Sequence, residues 1–380
     1  MKFNVSKTVL QNALVLASKC INDKSVIPAM AGFHFSIHGQ KIDITGGNME
    51  VYLTTTIDIT SKGMDEVKQL CVPITRIMSL LSKLPEQPID FDIKETVTEG
   101  VTTIGLVMKT LSGTYKIPVE SGDEYVFITV SDFDEILIPS NGLLSAISRT
   151  LFACSTDSLR AQITGVNISF DEGSVNYVST NTHVMSVQSS FIEKSLDTIK
   201  SFIVPPKILS VLQTMEVGPH VKTWISEKHI QFVVDDRTLL KSLLIDGNYI
   251  AYENVIPKKN DKNLVLDRSA ILSAMKRVSE FASGSVIKIT VRPSEIQLTA
   301  ENLDLAEFAD EKMAIDYQGE EFSICVDGAL LSKCVAKYDR ETIHFSFKEP
   351  NTPMLIRSEY KDLTLMKNLM LIMPCIIQEN

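Results

Sequence analysis

The sequence predicts an α+β fold made of three tandem copies of one domain-sized unit. Three observations predict it. First, a short strand-like run feeds an amphipathic helical run three times: Lys2-Phe3-Asn4-Val5 before 6–20, Ile136-Leu137-Ile138-Pro139 before 140–151, and Leu264-Val265-Leu266-Asp267 before 268–279. Second, a dipeptide opens another helical run in each copy: Val72-Pro73 before 74–84, Val204-Pro205 before 206–215, and Val326-Asp327 before 328–338. Third, a motif between them echoes as Ile44-Thr45-Gly46-Gly47-Asn48-Met49-Glu50, Val178-Ser179-Thr180-Asn181-Thr182-His183-Val184 and Leu298-Thr299-Ala300-Glu301-Asn302-Leu303-Asp304. Features recurring in one order mark internal repetition, and a third of 380 residues is the size of a domain rather than of a solenoid repeat. The copies are expected near 1–131, 132–262 and 263–380.

The helices follow from apolar spacing. In residues 6–20, Val9, Leu10, Ala13, Leu14, Leu16 and Ala17 fall on one arc. Lys7, Gln11, Asn12, Ser18 and Lys19 fall opposite, with Val15 as the exception. One face packs on a sheet and the other presents amide and ammonium groups. The strands follow from alternation. Residues 42–45, 89–93, 166–170, 175–178, 229–234, 287–291 and 342–347 alternate apolar with polar, as antiparallel strands covered on one face do. Each copy therefore reads as two strand–helix–strands halves with two helices on one face of the sheet.

Composition narrows the class. A hydrophobic share of 44% supports packed cores. Cys20, Cys71, Cys154, Cys325, Cys334 and Cys375 form no CxxC pair, which fits a reduced, cytoplasmic location. No apolar run approaches the roughly 18 residues of a membrane span. Lys2 and Lys7 before an apolar stretch resemble a secretion signal, but Gln11 and Asn12 interrupt it and related helices recur at 140 and 268, so no signal is expected.

The charge distribution carries functional information. The net charge of −10 argues against nucleic acid when taken alone. Yet the six repeated helical windows hold eleven basic residues and no acid: Lys7, Lys19, Arg76, Lys83, Arg149, Lys207, Arg268, Lys276, Arg277, Lys333 and Lys337. Ordinary surface helices mix signs, because Glu–Lys pairs one turn apart are stabilising. A solvated polar face explains one such helix; a constant sign across six points to a shared electrostatic task.

Catalytic signals are poor. Ser273-Ala274-Met275-Lys276 matches SxxK but lacks its companion motifs. Gly46-Gly47 reads as a turn, and no phosphate loop is present. His34 and His38 lie four apart in a strand-like stretch, about 13 Å from each other, so they do not share a metal. No catalytic residue, metal site or cofactor is expected. His183 reads either as a hydrogen-bonded turn residue or as a binding-pocket wall.

Along essentially its whole length the chain resembles the bacterial DNA polymerase III beta subunits, the processivity sliding clamps. The residues that carry the resemblance are Met1-Lys2-Phe3-Asn4-Val5, 113–125, Thr180-Asn181-Thr182-His183-Val184-Met185, Asp246-Gly247-Asn248-Tyr249-Ile250-Ala251-Tyr252-Glu253-Asn254-Val255-Ile256-Pro257 and Leu371-Ile372-Met373-Pro374. The resemblance implies a clamp fold and a head-to-tail homodimer, a six-domain ring around double-stranded DNA. It implies a non-enzymatic processivity factor whose partners are the DNA polymerase III alpha subunit, the clamp loader and other clamp-motif proteins, with no membrane. Matched residue by residue, the peptide pocket falls on Arg160, Ile163, Thr180, His183, Met185, Val255, Met373 and Pro374. An early-loop DNA contact falls on Lys24, a second on Arg76 or its neighbour, and the dimer contact on Tyr115, Ile117 and the region of Phe281.

The chain departs from the family pattern at Ile250 (Pro in the family), Val184 (Arg), Thr182 (Gly) and Asn254 (Arg), and runs on through Ile377-Gln378-Glu379-Asn380. These departures bear on peptide preference. They support a second reading, a divergent or mobile-element copy serving as an interaction protein with altered partners. An unrelated tandem-domain enzyme is a third, disfavoured because no acid/base or nucleophile constellation is present.

Overall fold

A computed structural model describes the chain except residues 23, 63–66, 99–100, 130–132, 172, 194–200, 359–367 and 376–380. The expected boundary at 131/132 and the tail 377–380 lie outside the described residues. Contacts divide the chain into two compact units, Met1–Ser140 with Lys207–Leu244, and Asn141–Pro206 with Ile245–Asn380. The middle repeat contributes to both.

All six helical windows are helices: α1 Lys7–Ser18, α2 Ile74–Ser82, α3 Ser140–Thr150, α4 Pro206–Gln213, α5 Arg268–Ser279 and α6 Gly328–Ala336. Four bury residues at one spacing, i, i+3, i+4 and i+7. These are Leu10, Ala13, Leu14 and Ala17 in α1, and Leu143, Ala146, Ile147 and Thr150 in α3. In α5 they are Ile271, Ala274, Met275 and Val278, and in α6 Leu331, Cys334, Val335 and the following Tyr338. That spacing lines a single face. The apolar arc of α1 is narrower than its sequence suggests, because Val9 is 44% exposed.

In the first unit, one thirteen-stranded antiparallel sheet runs from Asp134–Pro139 through His220–Ile225, His229–Val233 and Thr238–Leu243 to Val51–Asp58. It continues through Lys41–Gly47, Gly32–His38, Lys68–Pro73, Thr114–Ser121, Val101–Lys109, Pro88–Thr98 and Lys2–Ser6 to Thr60–Lys62. The first and middle repeats join edge to edge, with Leu240 opposite Leu53. The second unit repeats that device, with Met185 of Val184–Phe191 opposite Leu371 of Leu369–Ile372. There an eight-stranded sheet runs Ser201–Val204, Val166–Asp171, Ser174–Thr180, Val184–Phe191, Leu369–Ile372, Met354–Arg357, Thr342–Phe347, Lys262–Asp267. A four-stranded sheet runs Glu307–Ala314, Glu295–Asn302, Val286–Arg292, Phe322–Asp327. Such pairing satisfies edge N–H and C=O groups that would otherwise recruit other chains.

Gly46 and Gly47 are not a turn. They end the strand Lys41–Gly47, paired with Leu53 and Tyr52. Gly46 is required by close packing: a Cβ there would lie 2.1 Å from the Ala17 carbonyl oxygen of α1. The turn follows at Asn48, whose side chain accepts from the N–H groups of Glu50 and Val51. Asn181 makes the same turn with His183 and Val184. Asn181, not Thr182, is therefore the counterpart of Asn48, a one-residue correction to the alignment read from sequence. Asn302 makes a looser version, accepting only from Leu305.

Candidate functional site

The helices carry cations, and three nearby acids sit at helix starts. Asp267 and Asp327 cap α5 and α6 through the N–H groups of Ala270 and Leu330. Glu86 accepts from Ser6 Oγ, Thr8 N and Thr8 Oγ1 at the start of α1. Those hydroxyls hold its carboxyl below the usual range. Carboxylates are stabilised at these positive helix ends. The flanks are left cationic. Lys7, Lys24, Arg76, Lys83, Lys207, Lys276, Lys333 and Lys337 form no salt bridge among the described residues.

The other four expected DNA contacts are engaged within the chain. Lys19 Nζ donates to Thr214 Oγ1 at 2.7 Å. Arg268 Nε donates to the Arg340 carbonyl at 3.1 Å. Arg277 pairs with Glu311, its Nε 3.1 Å from Oε2. Arg149 pairs with Asp339 at 2.8 Å. The first three are side-chain bonds at exposed sites, which exchange readily with solvent.

The residues expected to form a pocket all fall in the second unit. Met185 is buried in a cluster with Val178, Val187, Ile256, Leu355, Leu369 and Leu371, and Tyr249, Tyr252 and Met373 pack against it half-buried. Thr180 is opposite Met185 across the hairpin. The Met373 N–H donates to the His183 carbonyl at 2.9 Å, carrying the ladder beyond Ile372 and placing Pro374 next in line. Val255, exposed, directly precedes buried Ile256. Arg160 and Ile163 lie on a separate turn, Ser158–Ile163. Ile163 is buried but outside that cluster, and Arg160 Nε is 3.1 Å from Asp157 Oδ2. The Leu159 N–H and Arg160 together hold the Asp157 carboxyl below its usual range. The His183 backbone is a stapled turn while its imidazole is exposed, so the turn and the wall readings describe different parts of one residue.

The expected dimer residues fall at strand edges and at a helix end. Tyr115 and Ile117 lie on Thr114–Ser121, which bonds Lys68–Pro73 only at Glu120 and Ser121. Its edge is otherwise unpaired among the described residues. In the second unit Glu307–Ala314 ends its sheet with one edge unpaired among the described residues, and Phe308 on it is 60% exposed. Phe281, just after α5, is also exposed.

Family models of the DNA polymerase III beta subunit match three consecutive stretches: N-terminal domain at 1–129, central domain at 137–250 and C-terminal domain at 253–374. The chain belongs to the DNA polymerase III beta subunit family. The beta sliding clamp of Halalkalibacterium halodurans is 23% identical over 379 residues, covering 96% of this chain and 98% of that protein. That of Bacillus subtilis is 21% identical, covering 94% and 96%. The solved sliding clamp of Pseudomonas aeruginosa bound to griselimycin superposes with a TM-score of 0.89 at 21% identity, over 99% of this chain and all 100% of that one. The Bacillus subtilis clamp structure gives 0.89 at 20% identity, over 100% of both.

Several residues at these places escaped the sequence reading. Tyr249, Tyr252, Ile256 and Leu371 sit inside quoted segments, but nothing in the segments singled them out. Phe308, an exposed aromatic directly after Glu307, was the available signal for the second strand edge. The departure at Thr182 has a local cost. Its φ of +78° is the left-handed region that a β-branched residue disfavours and the family's glycine suits. Thr182→Gly is expected to raise stability by about 0.5–1 kcal/mol, the relieved strain exceeding the added unfolded-state entropy. Chemical denaturation tests this; a lower midpoint at unchanged slope contradicts it.

Proposed function

We propose that the chain is a non-catalytic sliding clamp that encircles duplex DNA and tethers a replicative polymerase for processive synthesis. The observation that carries the reading is the set of repeated helices free of acids, whose lysines and Arg76 form no salt bridge among the described residues. Such cations attract phosphates without reading sequence, and their binding is salt-dependent. The acidic remainder repels DNA from other surfaces.

The three repeats, with boundaries near 131 and 262, supply half of a ring. Two such chains close head to tail through the unpaired edges of Thr114–Ser121 and Glu307–Ala314, with Tyr115, Ile117, Phe281 and Phe308 at the contact. An edge strand is a ready template for a second chain, and a heterologous contact closes only when its rotations sum to a full turn. The cluster around Met185 and Met373 receives short peptides from the DNA polymerase III alpha subunit, the clamp loader and other clamp-motif proteins, in the cytoplasm. An apolar groove with few polar groups suits that task.

Light scattering at micromolar concentration is expected to give twice the chain mass, and Phe308→Asp to reduce it to the single-chain mass. A monomeric native protein would contradict the ring.

A further inference from the structure

Arg149 was expected among the DNA contacts, and the structure gives it other work. Its side chain is 22% exposed while that of Asp339 is 83% exposed. Arg149 Nε donates to the Lys337 carbonyl at 3.3 Å, and a terminal nitrogen donates to Asp339 Oδ1 at 2.8 Å. The guanidinium lies 5.5 Å from the Tyr338 ring centroid. Tyr338 is buried, and its hydroxyl donates to the Ile356 carbonyl at 3.1 Å. Lys337 is the C-cap of α6, so Arg149 meets the negative end of that helix. The end of α3 is itself anchored, because the Thr150 carbonyl accepts from Ser179 Oγ at 2.6 Å. A planar fork fills this place, meeting a carbonyl and a carboxylate while its face lies on an aromatic ring.

We propose that Arg149 is a positioning residue that fixes α3 against the end of α6 and masks the charge of Asp339. Asp339 is the first acid after α6. Left unpaired, it would put a negative charge two residues past Lys337, the C-cap of a cationic helix. Pairing with Arg149 offsets that charge. The inference rests on the DNA-encircling reading.

The test is anisotropy of a short fluorescent duplex of random sequence, titrated with the full chain over a series of salt concentrations. Arg149→Ala is expected to weaken binding about 3- to 10-fold, since one uncompensated carboxylate opposes phosphate neutralisation. Asp339→Asn in the same chain is expected to restore it to within about 2-fold of the native protein. A double variant as weak as Arg149→Ala would make Arg149 a direct phosphate contact and overturn the proposal. Binding unchanged in Arg149→Ala would reduce it to a structural strut and overturn it as well. Arg149→Gln retains a donor for the Lys337 carbonyl and is read in the same way if the alanine variant unfolds. Lys276→Ala is the control: it is expected to lower the salt slope, and no change in it would overturn the DNA reading and this proposal with it.

Discussion

The paired variant Arg76→Ala, Lys276→Ala is expected to lose about 10-fold or more in affinity for duplex DNA at low salt. Its log–log salt slope should fall by nearly two units, about 0.9 for each phosphate no longer neutralised. Both side chains are exposed, on α2 and α5, and neither forms a salt bridge among the described residues. Their removal therefore leaves no buried partner unsatisfied, and thermal stability should change by less than about 0.5 kcal/mol. Weaker affinity with an unchanged slope would mean that the two residues act through structure rather than on phosphates.

Met373→Asp is expected to weaken binding of a clamp-binding peptide by about 100-fold or more, while the dimer persists. Met373 packs half-buried against the cluster that holds Met185, Ile256 and Leu371, and its N–H is fixed to the His183 carbonyl. A carboxylate there must be desolvated whenever a peptide covers this cluster, at a cost of several kcal/mol. The backbone bond that holds the strand is indifferent to the side chain, so the fold is retained. Calorimetric titration with a peptide from a polymerase C-terminus reads the effect; unchanged affinity would place the peptide elsewhere.

Much of this architecture was legible in the sequence because it rests on short-range periodicity. The spacing of Leu10, Ala13, Leu14 and Ala17 recurs in three further helices, and alternation marked strands such as Val286–Arg292. What escaped depends on long-range register. Nothing local says that Leu240 lies opposite Leu53, or that Met185 lies opposite Leu371. The echo containing Asn48 and Asn181 was off by one residue, because only the hydrogen bonds show which asparagine turns the chain. The partners of Arg149 escaped for the same reason. Its carbonyl acceptor is 188 residues away, and a cation on a helix looks alike whether it meets phosphate or caps another helix. At the candidate site, the motif segments held Thr180, Met185 and Met373, which the fold brings near one another. The aromatic supports Tyr249 and Tyr252 became distinct only through packing.

Encirclement is a topological link rather than an affinity, and retention on closed versus open DNA tests it most directly. After loading onto a nicked circular duplex, the protein should remain bound through gel filtration at a salt concentration that abolishes ordinary electrostatic binding. Cutting the circle once should release it. Release from the intact circle at that salt, or equal retention after cutting, would contradict encirclement.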